Sequence, residues 1–360
     1  MSDVLRAGIP AAAAALLVAG CMDITESTSP VVTDEVPPHF TLVDRHSNTA
    51  LLLERGGRFV NLLMTEPEYR LYTHNVWGPG HAVTLTRRVL QGRFADDFDF
   101  VIITFDPEQP RVRPPGGAHS RVSNNVRGLG YSIILPHDQW GGTVRLRSVV
   151  MLRHPDNLRE GPSLHEIAHH WGATLIPGVE WAHWGLTGVG GQLGGWAPGS
   201  LEAVGDGLYR GADPAGDPFR TDGTVGNRIP YAPLELYMMG FLPPDSVPPV
   251  EIAFGGRMVD TLTATFRADS IGVRTIDRIV KDFSPRRPAA AESQRHFRVL
   301  YVVLGITPLD ALETAALAHD IEQFTRTAPD DRDGLVNFWE ATGGRATIRF
   351  DGLVEARAAR

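Results

Sequence analysis

Apolar residues along the chain recur in two rhythms, as short unbroken runs and at spacings of three to four. The run 98–105, dense in Val, Ile and Phe, reads as a buried strand, and 131–135 and 144–152 predict two more. Ahead of them, the stretches 40–43 and 50–53 are separated by turn-forming Asn48 and Gly56-Gly57, so residues 39–80 are expected to form a small β-rich segment. Leu85, Val89, Leu90 and Phe94 recur at helical spacing and predict a helix lying on the sheet. After Pro155 a helix is expected to begin near Pro162-Ser163 and to stop or bend near Gly172. Glycines are so frequent over 178–223 that loops and short hairpins are predicted, until a short apolar segment at 233–240.

Beyond about residue 250 the character changes. After a β-like piece at 261–266, Ile276, Ile279, Val280 and Phe283 mark an amphipathic helix capped by Thr275 and ended by Pro285. Further helices are predicted over 292–304 and 308–327, so residues 249–360 are expected to be mainly helical and structural. The whole pattern predicts an α/β (α+β) chain whose main body spans 81–248. There is no internal repeat and no second hydrophobic span.

Composition narrows the function classes. Over 360 residues, a hydrophobic content of 42% with 21% charged residues is that of a globular protein rather than a disordered one. The formal net charge is −8 and no polybasic block is present to neutralise a phosphate backbone, so nucleic acid is not an expected partner. The one cysteine, Cys21, excludes an intramolecular disulfide and a cysteine-rich zinc site.

Its position carries the information. Arg6 precedes an apolar run over 11–19, too short to span a bilayer but suited to a signal-peptide core. The run ends Leu17-Val18-Ala19-Gly20-Cys21, which resembles the lipobox of bacterial lipoproteins. That resemblance implies a signal peptide over 1–21, lipidation of Cys21 and anchoring of an exported protein to a membrane. Met22 rather than aspartate after the cysteine favours the outer membrane in a Gram-negative cell. An ordinary cleaved secretory signal is the alternative reading. Residues 22–38, rich in Ser, Thr, Pro and acidic side chains, read as a flexible tether.

The chemistry-bearing signal is His165-Glu166-Ile167-Ala168-His169, an H-E-x-x-H pattern. Residues four apart project from one helix face, so two imidazoles can converge on one tetrahedral ion. Glu166 can then face the remaining coordination position, where it would act as general base toward a water whose pKa zinc lowers to about 7. A buried glutamate flanked by two histidines and followed by Ile167 and Ala168 would be costly without a compensating metal. His170 lies about 100° round the helix from His169 and is expected to pack rather than ligate.

A catalytic zinc usually takes a third protein ligand. From His165 to Gly172 the chain reads H-E-x-x-H-x-x-G, which resembles the beginning of the metzincin signature. The third histidine of that family would fall at Leu175, which cannot coordinate. His183, in Trp181-Ala182-His183-Trp184 and reached through a loop with Pro177 and Gly178, is the favoured ligand. A carboxylate ligand is the alternative, from Glu202 (in an E-x-x-x-D spacing with Asp206 that Gly205 and Gly207 make a poor helix), Glu235 or Glu180. Downstream, Pro233-Leu234-Glu235-Leu236-Tyr237-Met238-Met239-Gly240 falls where metzincins place a methionine-containing turn beneath the zinc. Together these motifs, over 163–244, are similar to a group of exported bacterial zincin-like proteins.

The resemblance implies a zincin-like core with a twisted mixed sheet and an active-site helix, one catalytic Zn2+ on His165, His169 and His183, and Glu166 as base. Met238 or Met239 would floor the site, and Tyr237 would donate a hydrogen bond to a developing oxyanion, although plain packing also explains each. The implied activity is that of a zinc metallopeptidase acting on a peptide or protein. The alternatives are a zinc hydrolase of non-peptide amides or esters, or a catalytically silent surface-binding lipoprotein. Asp330-Asp331-Arg332-Asp333-Gly334 lacks the ligand alternation of an EF-hand loop and reads as a solvated turn rather than a calcium site.

Overall fold

The computed structural model describes residues 36–74, 79–95, 97–106, 116–129, 136–141, 144–172, 175–176, 183–223 and 226–353. Cys21 with its lipobox, most of the expected tether, the strand expected at 131–135, and Glu180 lie outside the described residues. Among those described, the chain is α+β: a large mixed sheet and seven helices, with two smaller sheets.

The large sheet begins with an antiparallel meander, β1 (Phe40–His46), β2 (Thr49–Glu54) and β3 (Val60–Leu63). Two helices follow, α1 (Glu66–His74) and α2 (Pro79–Leu90). Then come β4 (Phe100–Phe105), β5 (Gly117–Arg121), β6 (Ser148–Leu152) and α3 (Ser163–Ala168). A second sheet starts with the hairpin β7 (Glu202–Gly205) and β8 (Leu208–Arg210), before α4 (Pro233–Met239). Strands β9 (Val250–Phe254), β10 (Arg257–Asp260), β11 (Thr265–Arg267) and β12 (Ser270–Arg274) lead to α5 (Ile276–Phe283). The chain closes with β13 (His296–Gly305), α6 (Ala311–Thr325), α7 (Phe338–Ala341) and β14 (Thr347–Arg349).

Strand order in the large sheet is β1-β2-β3-β13-β4-β6-β5, with β14 also on β13. The strand β13 runs parallel to β3 on one side and to β4 on the other, and β4 is parallel to β6. The last strand, β5, is antiparallel to β6 and forms the sheet edge among the described residues.

Side-chain alternation along these strands divides the interior into two layers. Phe100, Ile102, Val150, Leu152, Val299, Tyr301 and Val303 face a core shared with Leu164, Ile167, Ala168 and Trp171 of the α3 segment and with α4 and α6. The intervening Val101, Ile103, Val149, Met151, Leu300, Val302 and Leu304 face Tyr69 and Tyr72 of α1 and Leu85 and Val89 of α2. Each such fully buried aliphatic side chain stabilises the fold by about 1.5–3 kcal/mol. The helix α3 therefore rests on a sheet held from both sides.

The helix expected over 292–304 is instead the strand β13, at the centre of the sheet. Both its faces are covered, so it shows a continuous apolar run without the alternation that marks a half-exposed strand, and such a run does not by itself distinguish strand from buried helix. Its Val299, Val302, Val303 and Tyr301 suit the pleat better than a helix. The expectation of a mainly helical 249–360 is corrected accordingly: α5 and α6 form where predicted, but β9 to β14 lie among the helices. Thr275 caps α5 by accepting from the Arg278 backbone N–H at 3.4 Å.

Candidate metal centre

Every residue of α3 is buried, and its first turn has no cap of its own because Pro162 occupies the N-cap position. Asn227 supplies one from 63 residues downstream: its Oδ1 accepts the Leu164 N–H at 3.1 Å, while its Nδ2 donates to Leu158 O at 2.9 Å and to Ser163 Oγ at 2.9 Å. At the other end the chain tightens, with Trp171 N–H on Ala168 O and Gly172 N–H on His169 O. There the Arg121 guanidinium of β5 donates to the carbonyls of His169, His170 and Gly172, a cation at the negative end of the helix.

This framework brings together three ring nitrogens. His165 Nε2 lies 3.0 Å from His169 Nε2 and 3.3 Å from His183 Nε2, and all three lie within 4.8 Å of one another. His165 Nδ1 donates to Gln192 O at 2.8 Å, which leaves its Nε2 as a bare lone pair. That single lone pair cannot accept from both His169 and His183. A shared cation would resolve the conflict: with Zn–N bonds near 2.0–2.1 Å, tetrahedral ligands stand about 3.3 Å apart. Burial lowers the His165 pKa to about 4 and holds His169 well below its ordinary value, and burial lowers His183 as well, so all three rings are neutral at pH 7. Neutral, convergent imidazoles, one buried and two part-buried, are a donor set that suits a zinc ion.

Glu166 is buried beside this triad, and desolvation raises its pKa to about 8. It packs against the backbone of Gly117, the first residue of β5. His119 and Arg121 follow on the same face of β5; the His119 ring centroid is 6.1 Å from that of His169, and its Nε2 is buried without a hydrogen-bond partner. His170 is fully buried and edge-on to Phe100 and Trp171, packing as expected rather than joining the triad.

The carboxylate alternatives to His183 are placed elsewhere. Glu202 is exposed on β7, and with Asp206 in the β7–β8 turn it forms a hairpin and not a helix. Glu235 is completely buried and accepts four N–H groups, from Trp184, Gln192, Leu193 and Ala232. Burial pushes its carboxyl up, against the pull of those donors. Met238 and Met239 are buried in the same core as the apolar residues of α3. Tyr237 is 3% exposed and its hydroxyl accepts the Arg286 N–H at 3.2 Å.

Residues 331–334 form an exposed turn as expected, but Asp330 at its start is anchored. The Asp330 carboxylate is buried on the guanidinium of Arg159 at 2.6 Å, and Asp331 binds the same group. This ion pair fastens the loop after α6 to the segment that enters α3.

Sequence reasoning did not single out Gly117, His119, Arg121, Gln192 or Asn227, because each acts across a distance in sequence that no periodicity records. For Glu235 a signal existed: a lone carboxylate inside the apolar run Pro233-Leu234-Glu235-Leu236-Tyr237 must find donors when that run is buried. No protein-family model matches the chain, and no curated protein or solved structure matches it.

Proposed function

We propose that this chain is a zinc-dependent metallohydrolase with a zincin-like core, cleaving peptide bonds. The observation that carries the reading is the convergence of three neutral histidine nitrogens beside the buried carboxyl of Glu166. His165, His169 and His183 would hold the ion. Bound there, zinc would supply Lewis acidity, lower the pKa of water to about 7 and, by its charge, favour the ionised form of Glu166. Glu166 takes a proton from the attacking water and returns it to the leaving amine.

A peptide is favoured over other acyl substrates by β5. It is an edge strand beside the histidines, and an extended peptide can add to such an edge through main-chain hydrogen bonds. Arg121, at the far end of β5, holds the end of α3 against the same strand, so the edge strand and Glu166 share one support. With the lipobox-like segment ending at Cys21, the reading places the enzyme outside the cytoplasm on a lipid anchor.

The test is metal analysis of the purified protein together with its activity on a peptide library and on a panel of esters and non-peptide amides. Stoichiometric zinc with peptide cleavage is expected. Zinc with turnover of esters alone would move the substrate class, and a protein that binds no zinc would overturn the reading.

A further inference from the structure

We propose that Glu235 is the positioning residue that brings the third histidine to the site and sets the tautomer of the first. The inference rests on the metal-centre reading above and concerns how that centre is built.

All four acceptor positions of the Glu235 carboxylate are used. Oε1 accepts the Trp184 indole N–H at 2.9 Å and the Leu193 N–H at 2.8 Å; Oε2 accepts the Gln192 N–H at 3.1 Å and the Ala232 N–H at 2.9 Å. Three of these donors belong to one loop. Trp184 directly follows His183, so the indole bond fixes the residue next to the ligand. Gln192 offers its N–H to Glu235 and its carbonyl to His165 Nδ1 at 2.8 Å, so the peptide groups around Gln192 form a bridge between the carboxylate and the first ligand. Trp184 N–H on Leu193 O closes the loop on itself at 2.8 Å.

The contact is too close for ordinary packing. A β-carbon at Gly191 would lie 2.1 Å from Glu235 Oε2, so the loop backbone sits directly on the carboxylate. Glu235 itself is the third residue of α4, and its fourth bond, to Ala232, ties it to the start of that helix. Since α4 packs in the same core as α3, one carboxylate transmits the position of that core to the two ligands His165 and His183. His169 needs no such device, because the α3 backbone carries it.

An ionised carboxylate meets four donors, whereas an amide presents two of its own N–H groups to them. Glu235→Gln is therefore disruptive despite its equal size. Loss of a group that orients a metal ligand typically weakens metal affinity 10–100-fold.

The experiment uses the full chain, with Zn2+ affinity measured by chelator competition and Co2+ in place of zinc as a spectroscopic probe. Thermal unfolding of the metal-free protein is followed beside both. Glu235→Gln is expected to raise the zinc Kd at least tenfold and to alter the cobalt d–d bands. Trp184→Phe, which removes one donor and keeps an aromatic ring, is expected to do the same to a smaller extent. A variant with a lowered melting temperature but wild-type zinc Kd and cobalt spectrum would show packing alone and overturn the inference. If Glu235→Gln does not fold, Trp184→Phe decides: a wild-type cobalt spectrum overturns the proposal. Absence of zinc and cobalt binding in the wild-type chain is a different failure, since it removes the metal centre itself.

Discussion

The backbone of Gly117 passes so close to Glu166 that a β-carbon at position 117 would lie 2.4 Å from Glu166 Cγ and 2.5 Å from Oε1. Glu166, the proposed base, is thus held between its own helix and β5, and only glycine leaves room for it.

Gly117→Ala should displace the Glu166 carboxylate while leaving the three histidines in place. A misplacement of about 1 Å at a reacting group costs on the order of 100-fold in rate. The expected result is a fall in kcat of that order with zinc content unchanged. Unaltered kcat would mean that Glu166 is not confined by β5.

Glu166→Gln keeps the volume and removes the base. General acid–base catalysis contributes about 10²–10⁴-fold, so hydrolysis should fall by that factor while metal analysis still returns one zinc per chain. Wild-type turnover in this variant would exclude Glu166 from the mechanism.

The third ligand can be separated from its rivals by metal content. His183→Ala should lose zinc on dialysis against a mild chelator, and Glu202→Ala, altered on the exposed β7, should retain it. The reverse pattern would reassign the ligand.

Asp330 provides a stability test away from the site. Burial alone would raise its carboxyl, but the Arg159 guanidinium, the Arg332 backbone N–H and the charges of both arginines outweigh burial and hold it below the ordinary Asp range. A lowered folded-state pKa contributes stability that is fully present above the unfolded value and lost as the pH falls through the folded one. Asp330→Asn should therefore destabilise the fold at pH 7, by less than the about 3–5 kcal/mol of breaking a buried pair outright, because Asp331 and Asp320 still pair with Arg159. The difference from wild type should shrink in acid. Urea unfolding at pH 7 and at successively lower pH measures both.

Legibility followed the range of the interactions. The strand at 98–105 and the helices at 276–283 and 311–325 were readable because their signals, a β-rich apolar run, a threonine cap and a 3.6-residue spacing, are local. The central strand β13 was not, because burial on both faces erased the alternation that would have marked it. Its position between β3 and β4 depends on partners more than 190 residues away.

The same division runs through the site. Helical geometry alone places His165 and His169 on one face with Glu166 beside them, whatever the rest of the chain does. The tertiary structure decided the rest: that His183 joins them, that Gln192 orients His165, and that Gly117 and Arg121 close the helix against an edge strand. A four-residue spacing is written into the backbone of one helix, whereas a loop held by the Glu235 carboxylate exists only once α4 has joined the core that α3 shares.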